Sequence, residues 1–256
     1  MPGTASSTRT AMTRTVELPD EAASEAFATS LAMMLRPGDL VLLQGELGAG
    51  KTTFARALIR AVANDPELEV PSPTFTLVQS YELPGLAMAH MDFYRLDDPG
   101  EVAELGVDDA LETGAVIIEW PERAGTMLPP GGLIVRLEEQ GSGRDAHITA
   151  PDAGWLERLD RLAGVGRFIT AAGWQRARRV RIPGDASSRR YERLAGGPES
   201  ACALLMDMPA RPDGPPVRAG LPYSRIANLA EDIRAVEAVN AGLLAQGLSA
   251  PRIYAI

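Results

Sequence analysis

Lysine is nearly absent from this chain. Of 25 basic side chains among 256 residues, 24 are arginine, and the single lysine is Lys51. Cysteine is as scarce: the lone Cys202 excludes an internal disulfide and fits a reducing compartment, and a cytoplasmic location is expected. No apolar run approaches the ~20 residues that a membrane helix needs, so a spanning segment is not expected. Aromatic residues make up only 5 % of the chain, yet hydrophobic residues reach 45 % and charged residues 23 %, the balance of an ordinary globular protein with one or two domains.

The one lysine stands in "GELGAGKTT", where Gly45, four residues, Gly50, Lys51 and Thr52 match the P-loop spacing. Glycines at 45, 48 and 50 let the chain turn so that backbone N–H groups face inward around an anion. The helix expected after the loop adds the positive end of its dipole. A lysine ammonium is a compact charge on a flexible stem and can follow the β- and γ-phosphates, whereas a guanidinium is a wide planar fork. Thr52 offers the hydroxyl that such loops place on Mg²⁺. Gly45, Gly48, Ala49, Gly50, Lys51, Thr52 and Thr53 are therefore the candidate nucleotide cradle.

The flanking pattern agrees. "DLVLLQ" reads as a buried strand and "TTFARALIRAVA" as a helix. Upstream, "TVEL" reads as a short strand and "PDEAASEAFATSLAMMLRPGD" as a helix with acids in its first turn. Downstream, 75–81 and 86–93 read as strands, "DPGEVAELG" as a short helix and 115–120 as a buried strand. "LIVRLE" and "AHITA" form an expected hairpin, with "GWLERLDRLA" a closing helix. This alternation predicts an α/β three-layer sandwich of the P-loop type, with hairpins making the sheet mixed.

Phosphate chemistry also needs carboxylates for Mg²⁺ and for the attacking water. In open α/β sheets ligands sit at strand ends, which singles out Asp92, closing "LAMAHM", and Glu119, closing "AVII". His90 shares a strand face with Asp92 and is either its partner or a structural histidine; His147 carries no functional signal.

Charge divides the chain. Residues 1–165 hold 12 basic and 26 acidic groups, a net −14, whereas 166–256 hold 13 basic and 8 acidic, a net +5. The expected organisation is a flexible extension over 1–13 (a transit peptide being the alternative), a P-loop domain over 14–165, and a second module over 166–256. An acidic P-loop domain repels phosphate backbones, so a nucleic-acid role would run through a protein partner.

"GELGAGKTTFARAL", "SPTFTLVQSY", "HMDFYRLDDP" and "VIIEWPERAG", in this order, resemble the TsaE family, the ATPase component of the bacterial machinery that makes threonylcarbamoyladenosine in tRNA. The resemblance spans about residues 14–165. It implies ATP and Mg²⁺ as cofactors, weak hydrolysis by the protein alone, and TsaD and TsaB as partners. By motif, Lys51 and Thr52 take the phosphate and metal roles, and Asp92 and Glu119 the acidic metal or water-positioning roles. Trp120 and Pro121 belong to an "EWP" signature, and Thr74 and Thr76 to a loop whose hydroxyls could sense the γ-phosphate; Trp120 equally suits core packing and Thr74 a plain turn.

The second module resembles the N-lobe of aminoglycoside-phosphotransferase-like kinases, especially cell-wall sugar kinases, in "IPGDASSRRYERLAGG", "ALLMDMP" and "EAVNAGLLAQGLSAPRIYA". The resemblance makes "GDASSRRY" a hairpin over ATP phosphates and Glu237 a helix acid orienting a strand lysine. No lysine follows Lys51 and no histidine follows His147, so an incomplete, inactive α+β kinase N-lobe is expected. Two other functions fit the P-loop: a small-molecule kinase, for which 98–130 shows no arginine-rich lid, and a nucleotide-gated scaffold with incidental hydrolysis.

Overall fold

A computed structural model describes residues 12–182, 189–208, 215–218, 220–222 and 233–256. The chain divides into two compact units, Met1–Gly164 and Val165–Ile256.

In the first unit a seven-stranded sheet has the order β1-β7-β6-β2-β5-β4-β3. The strands are β1 (Met12–Leu18), β2 (Leu40–Gln44), β3 (Val78–Tyr81), β4 (Ala87–Asp92), β5 (Gly114–Glu119), β6 (Leu133–Gln140) and β7 (Gly143–Ala150). β6, β2, β5 and β4 run parallel at the centre, while β3, β7 and β1 pair antiparallel at the flanks. The sheet is therefore mixed, as the hairpin signals predicted.

Helices cover both faces, and the β5 sequence shows why. Every residue of β5 is buried, with Ala115 and Ile117 facing one core and Val116 and Ile118 the other. The first core takes in α1 (Glu21–Ala32), α2 (Lys51–Ala63) and the start of α4 (Ala153–Ala171). The second takes in α3 (Val107–Thr113) and the 3₁₀ turns at Pro99–Glu104 and Pro121–Ala124. Asp20 caps α1 by accepting from the Ala23 N–H at 2.7 Å. Arg158 on α4 grips Asp39 with two hydrogen bonds of 2.6 and 2.9 Å, fixing α4 beside the start of β2.

Three local readings shift. The strand expected from 75 begins only at Val78, because Leu77 sits at φ 62° and its N–H bonds the Pro73 carbonyl at 2.6 Å, closing a turn over Thr74–Thr76. "DPGEVAELG" forms a 3₁₀ turn capped reciprocally by Asp98 and Glu101. α3 carries acids at 108 and 109 in a seven-residue helix too short to show a period.

The second unit holds a three-stranded antiparallel sheet, β10-β9-β8, and a hairpin of β11 (Pro216–Arg218) and β12 (Leu221–Pro222). β8 (Arg178–Ile182), β9 (Arg190–Ala195) and β10 (Cys202–Asp207) bury Leu194 and Leu205 with Ile169 and Trp174. Arg179 pairs with the buried Glu192 at 2.6 and 2.9 Å on that face. α5 (Ile233–Ala245) has no buried residue, and Glu237 is exposed on it. Most of the stretch expected to cover phosphates, 184–188, lies outside the described residues; Arg190 and Tyr191 stand in β9. Among the described residues no helix is long and apolar enough to cross a membrane.

Candidate functional site

The parallel register assembles the site. Asp92 at the end of β4 is the direct neighbour of Glu119 at the end of β5, and Glu119 is the neighbour of Leu43 on β2, the strand that feeds the glycine-rich loop. Three adjacent strands thus deliver the two acids and the loop to the C-terminal ends of the parallel strands, where α/β proteins bind ligands.

The loop needs its glycines. Gly45 has φ 138°, and a Cβ there would collide with the Leu137 carbonyl of β6. Gly50 has φ 96° in the left-handed region and precedes the first residue of α2. Gly48 also has positive φ, and Ala49 is buried with its carbonyl accepting from Arg144 Nε at 2.8 Å.

Lys51 is only 4 % exposed. Its Nζ donates to the Gly45 and Glu46 carbonyls at 2.7 and 2.8 Å and lies 3.7 Å from the centroid of the Trp120 ring. Burial pushes its pKa below the ordinary lysine value, while Glu119, Glu122, Asp92 and Glu46 pull it back up. Trp120 holds a left-handed backbone (φ 57°) directly after β5 and packs its ring 5.0 Å from that of Tyr94. The same ring also borders the second core, so packing and contact with the lysine coincide.

The acids are buried and fully engaged. Thr52 Oγ1 donates to Glu119 Oε2 at 2.8 Å, and His90 Nε2 lies 2.8 Å from Glu119 Oε1. Asp92 Oδ2 accepts from Thr74 at 2.5 Å and from Ser72 at 3.3 Å, and Oδ1 accepts from the Tyr94 N–H at 2.9 Å. Glu119 is thereby tied to the start of α2 and Asp92 to the 72–76 loop. Thr74 meets Asp92, whereas Thr76 is exposed on that loop. Thr53 is half-buried on α2, and Pro121 is buried in the 3₁₀ turn after Trp120. His90 shares a strand with Asp92 but its ring serves Glu119, on the neighbouring strand. His147 lies elsewhere, on β7, between Thr15 at 3.0 Å and Glu138 at 3.1 Å.

His90 is fully buried, and its Nδ1 has no hydrogen-bond partner among the described residues. Its contribution is the bond to Glu119. The His90→Ala variant leaves Glu119 Oε1 buried without that partner, an expected cost of about 1–3 kcal/mol. Thermal unfolding should show a lower Tm, and an unchanged Tm would mean that Glu119 does not depend on the imidazole.

The donor set suits a hard divalent cation. Thr52, Glu119 and Asp92 offer only oxygen, the preference of Mg²⁺, which keeps waters and phosphate oxygens for its remaining positions. Among the described residues no three His, Cys, Asp or Glu side chains form a metal cluster by themselves.

A family model described as "Threonylcarbamoyl adenosine biosynthesis protein TsaE" matches residues 18–146. Curated relatives carry the name tRNA threonylcarbamoyladenosine biosynthesis protein TsaE. The Rickettsia felis protein is 40 % identical over 121 residues, covering 47 % of this chain and 70 % of that one. The Bacillus subtilis protein is 36 % identical over 139 residues, covering 54 % of this chain and 84 % of that one. The Haemophilus influenzae protein is 33 % identical over 139 residues, with coverage of 52 % and 87 %. Among solved structures, YdiB of Bacillus subtilis superposes with a TM-score of 0.53 at 24 % identity, over 62 % of this chain and 99 % of that one, a likeness of fold.

Proposed function

Since the chain belongs to the TsaE family of threonylcarbamoyl adenosine biosynthesis proteins, we propose that it is a Mg²⁺-dependent ATPase acting with TsaD and TsaB, in the cytoplasm, in the threonylcarbamoyladenosine modification of tRNA. The observation that carries this reading is the meeting of Lys51, Thr52, Asp92 and Glu119 at the C-terminal ends of the central parallel strands. Loop N–H groups and the N-terminus of α2 would cradle the β- and γ-phosphates. Phosphates would draw the Lys51 ammonium away from the Gly45 and Glu46 carbonyls. Thr52 and one of the two carboxylates, Glu119 or Asp92, would hold Mg²⁺, which would supply charge neutralisation on the phosphate oxygens. The carboxylate not engaged with the metal would orient water for attack, and Thr74 would link Asp92 to the 72–76 loop as the γ-phosphate comes and goes.

The acidic character of this domain supports action through protein partners rather than a grip on tRNA. The second unit contributes no turnover in this reading, because the chain has no lysine beyond Lys51 to meet a nucleotide there. Reconstitution with TsaD, TsaB and unmodified tRNA tests the function. Modification should require this chain together with hydrolysable ATP. Equal modification with a non-hydrolysable analogue would make the chain a nucleotide-gated scaffold instead.

A further inference from the structure

Arg144 touches the loop from a distant part of the sequence. It is the second residue of β7, which returns antiparallel from β6 and therefore begins at the end of the parallel strands where the loop lies. Its Nε donates to the Ala49 carbonyl at 2.8 Å across 95 positions of sequence. The rest of the guanidinium covers Gly50: a Cβ built on Gly50 would stand 3.0 Å from Nε, 3.2 Å from Cζ and 3.4 Å from Nη2.

We propose that Arg144 is a positioning residue of the nucleotide site, holding the Ala49–Gly50 peptide so that the Gly50 N–H faces the phosphates. The inference rests on the nucleotide-binding reading above. The peptide bond is planar, and the protein contains no cis peptide among its described residues, so the Ala49 C=O and the Gly50 N–H point in opposite directions. A donor that fixes the carbonyl on one side of the loop fixes the amide on the other. Gly50 by itself gives no such certainty, since a glycine rotates freely into several conformations and a flipped peptide would present an oxygen to the anion. A cradle whose amides are already aimed binds without the entropy of ordering them. The cover over Gly50 adds a steric reason for glycine at this position, because any side chain would have to displace the guanidinium.

Two substitutions of equal length isolate the donor. In Arg144→Gln the side-chain amide nitrogen occupies the place of Nε and can still donate to Ala49. In Arg144→Met a methyl group stands there and cannot. Both remove the charge and the outer guanidinium. Titration calorimetry with Mg²⁺·ADP should show at least about tenfold weaker binding for Arg144→Met and binding within about threefold of wild type for Arg144→Gln, tenfold corresponding to about 1.4 kcal/mol. In steady-state hydrolysis the KM of Arg144→Met should rise with kcat little changed, a split that a general loss of folded protein would not produce. Should Arg144→Met not fold, Arg144→Leu, which also lacks the donor, is held to the same criteria. Wild-type affinity in Arg144→Met, or equal weakening in both variants, overturns the inference while leaving the nucleotide site standing. A wild-type chain that binds no nucleotide overturns the reading beneath it as well.

Discussion

Lys51→Arg is expected to abolish useful ATP affinity as completely as Lys51→Ala, with the fold intact in both. The ammonium fits a slot bounded by two carbonyls at 2.7 and 2.8 Å and by the Trp120 ring. A guanidinium is wider than that slot and carries its charge on a rigid fork. Charge-assisted hydrogen bonds are worth about 1.5–3 kcal/mol each, so losing two of them to phosphate oxygens weakens binding on the order of 100-fold or more. The fold should survive because α2 is held by Phe54, Ala55, Leu58 and Ile59, all of them buried, rather than by its first residue. Titration with a fluorescent ATP analogue, alongside thermal unfolding, decides the matter. Near-wild-type affinity in the arginine variant would contradict the account.

Asp92→Ala and Glu119→Ala are expected to bind ATP but to hydrolyse it at least ~10²-fold more slowly. Each acid is buried and already positioned by hydroxyls, Glu119 by Thr52 and Asp92 by Thr74 and Ser72. Neither bonds the Lys51 ammonium, which donates to the Gly45 and Glu46 carbonyls of the loop. Turnover should therefore fall further than affinity. Rapid-quench measurement of phosphate release separates the two quantities. A lower Tm with unchanged turnover would make these acids structural strand ends.

The glycine-rich loop proposed to cradle the nucleotide was legible because its information is local. Gly45, Gly50, Lys51 and Thr52 lie within eight positions, and each residue type answers to one requirement of a phosphate. Asp92 and Glu119 were legible one step further away, as acids that end apolar runs and so stand at strand ends. What joins them was not legible. The pairing of β4 with β5 depends on sheet order, and local sequence does not encode which strands become neighbours. His90 illustrates the gap: spacing put it on the face of Asp92, but the cross-strand register gives its ring to Glu119. Arg144 lay wholly outside the reach of motif reasoning, because its meeting with Ala49 is created by a hairpin return. The turn at Leu77 was hidden for another reason. A β-rich sequence carried the strand reading forward, whereas the Leu77 N–H bonds the Pro73 carbonyl and the Leu77 carbonyl accepts from the Asp92 N–H, with the leucine at positive φ.

The most direct test of the central claim follows the γ-phosphate. The full chain, mixed with TsaD and TsaB, is given ATP labelled at the γ position, with Mg²⁺ or with the metal chelated, and the labelled products are separated. The account predicts that the label leaves as inorganic phosphate, that release requires Mg²⁺, and that Lys51→Ala abolishes it. Label recovered in a phosphorylated metabolite, or phosphate release that continues in Lys51→Ala, would contradict it.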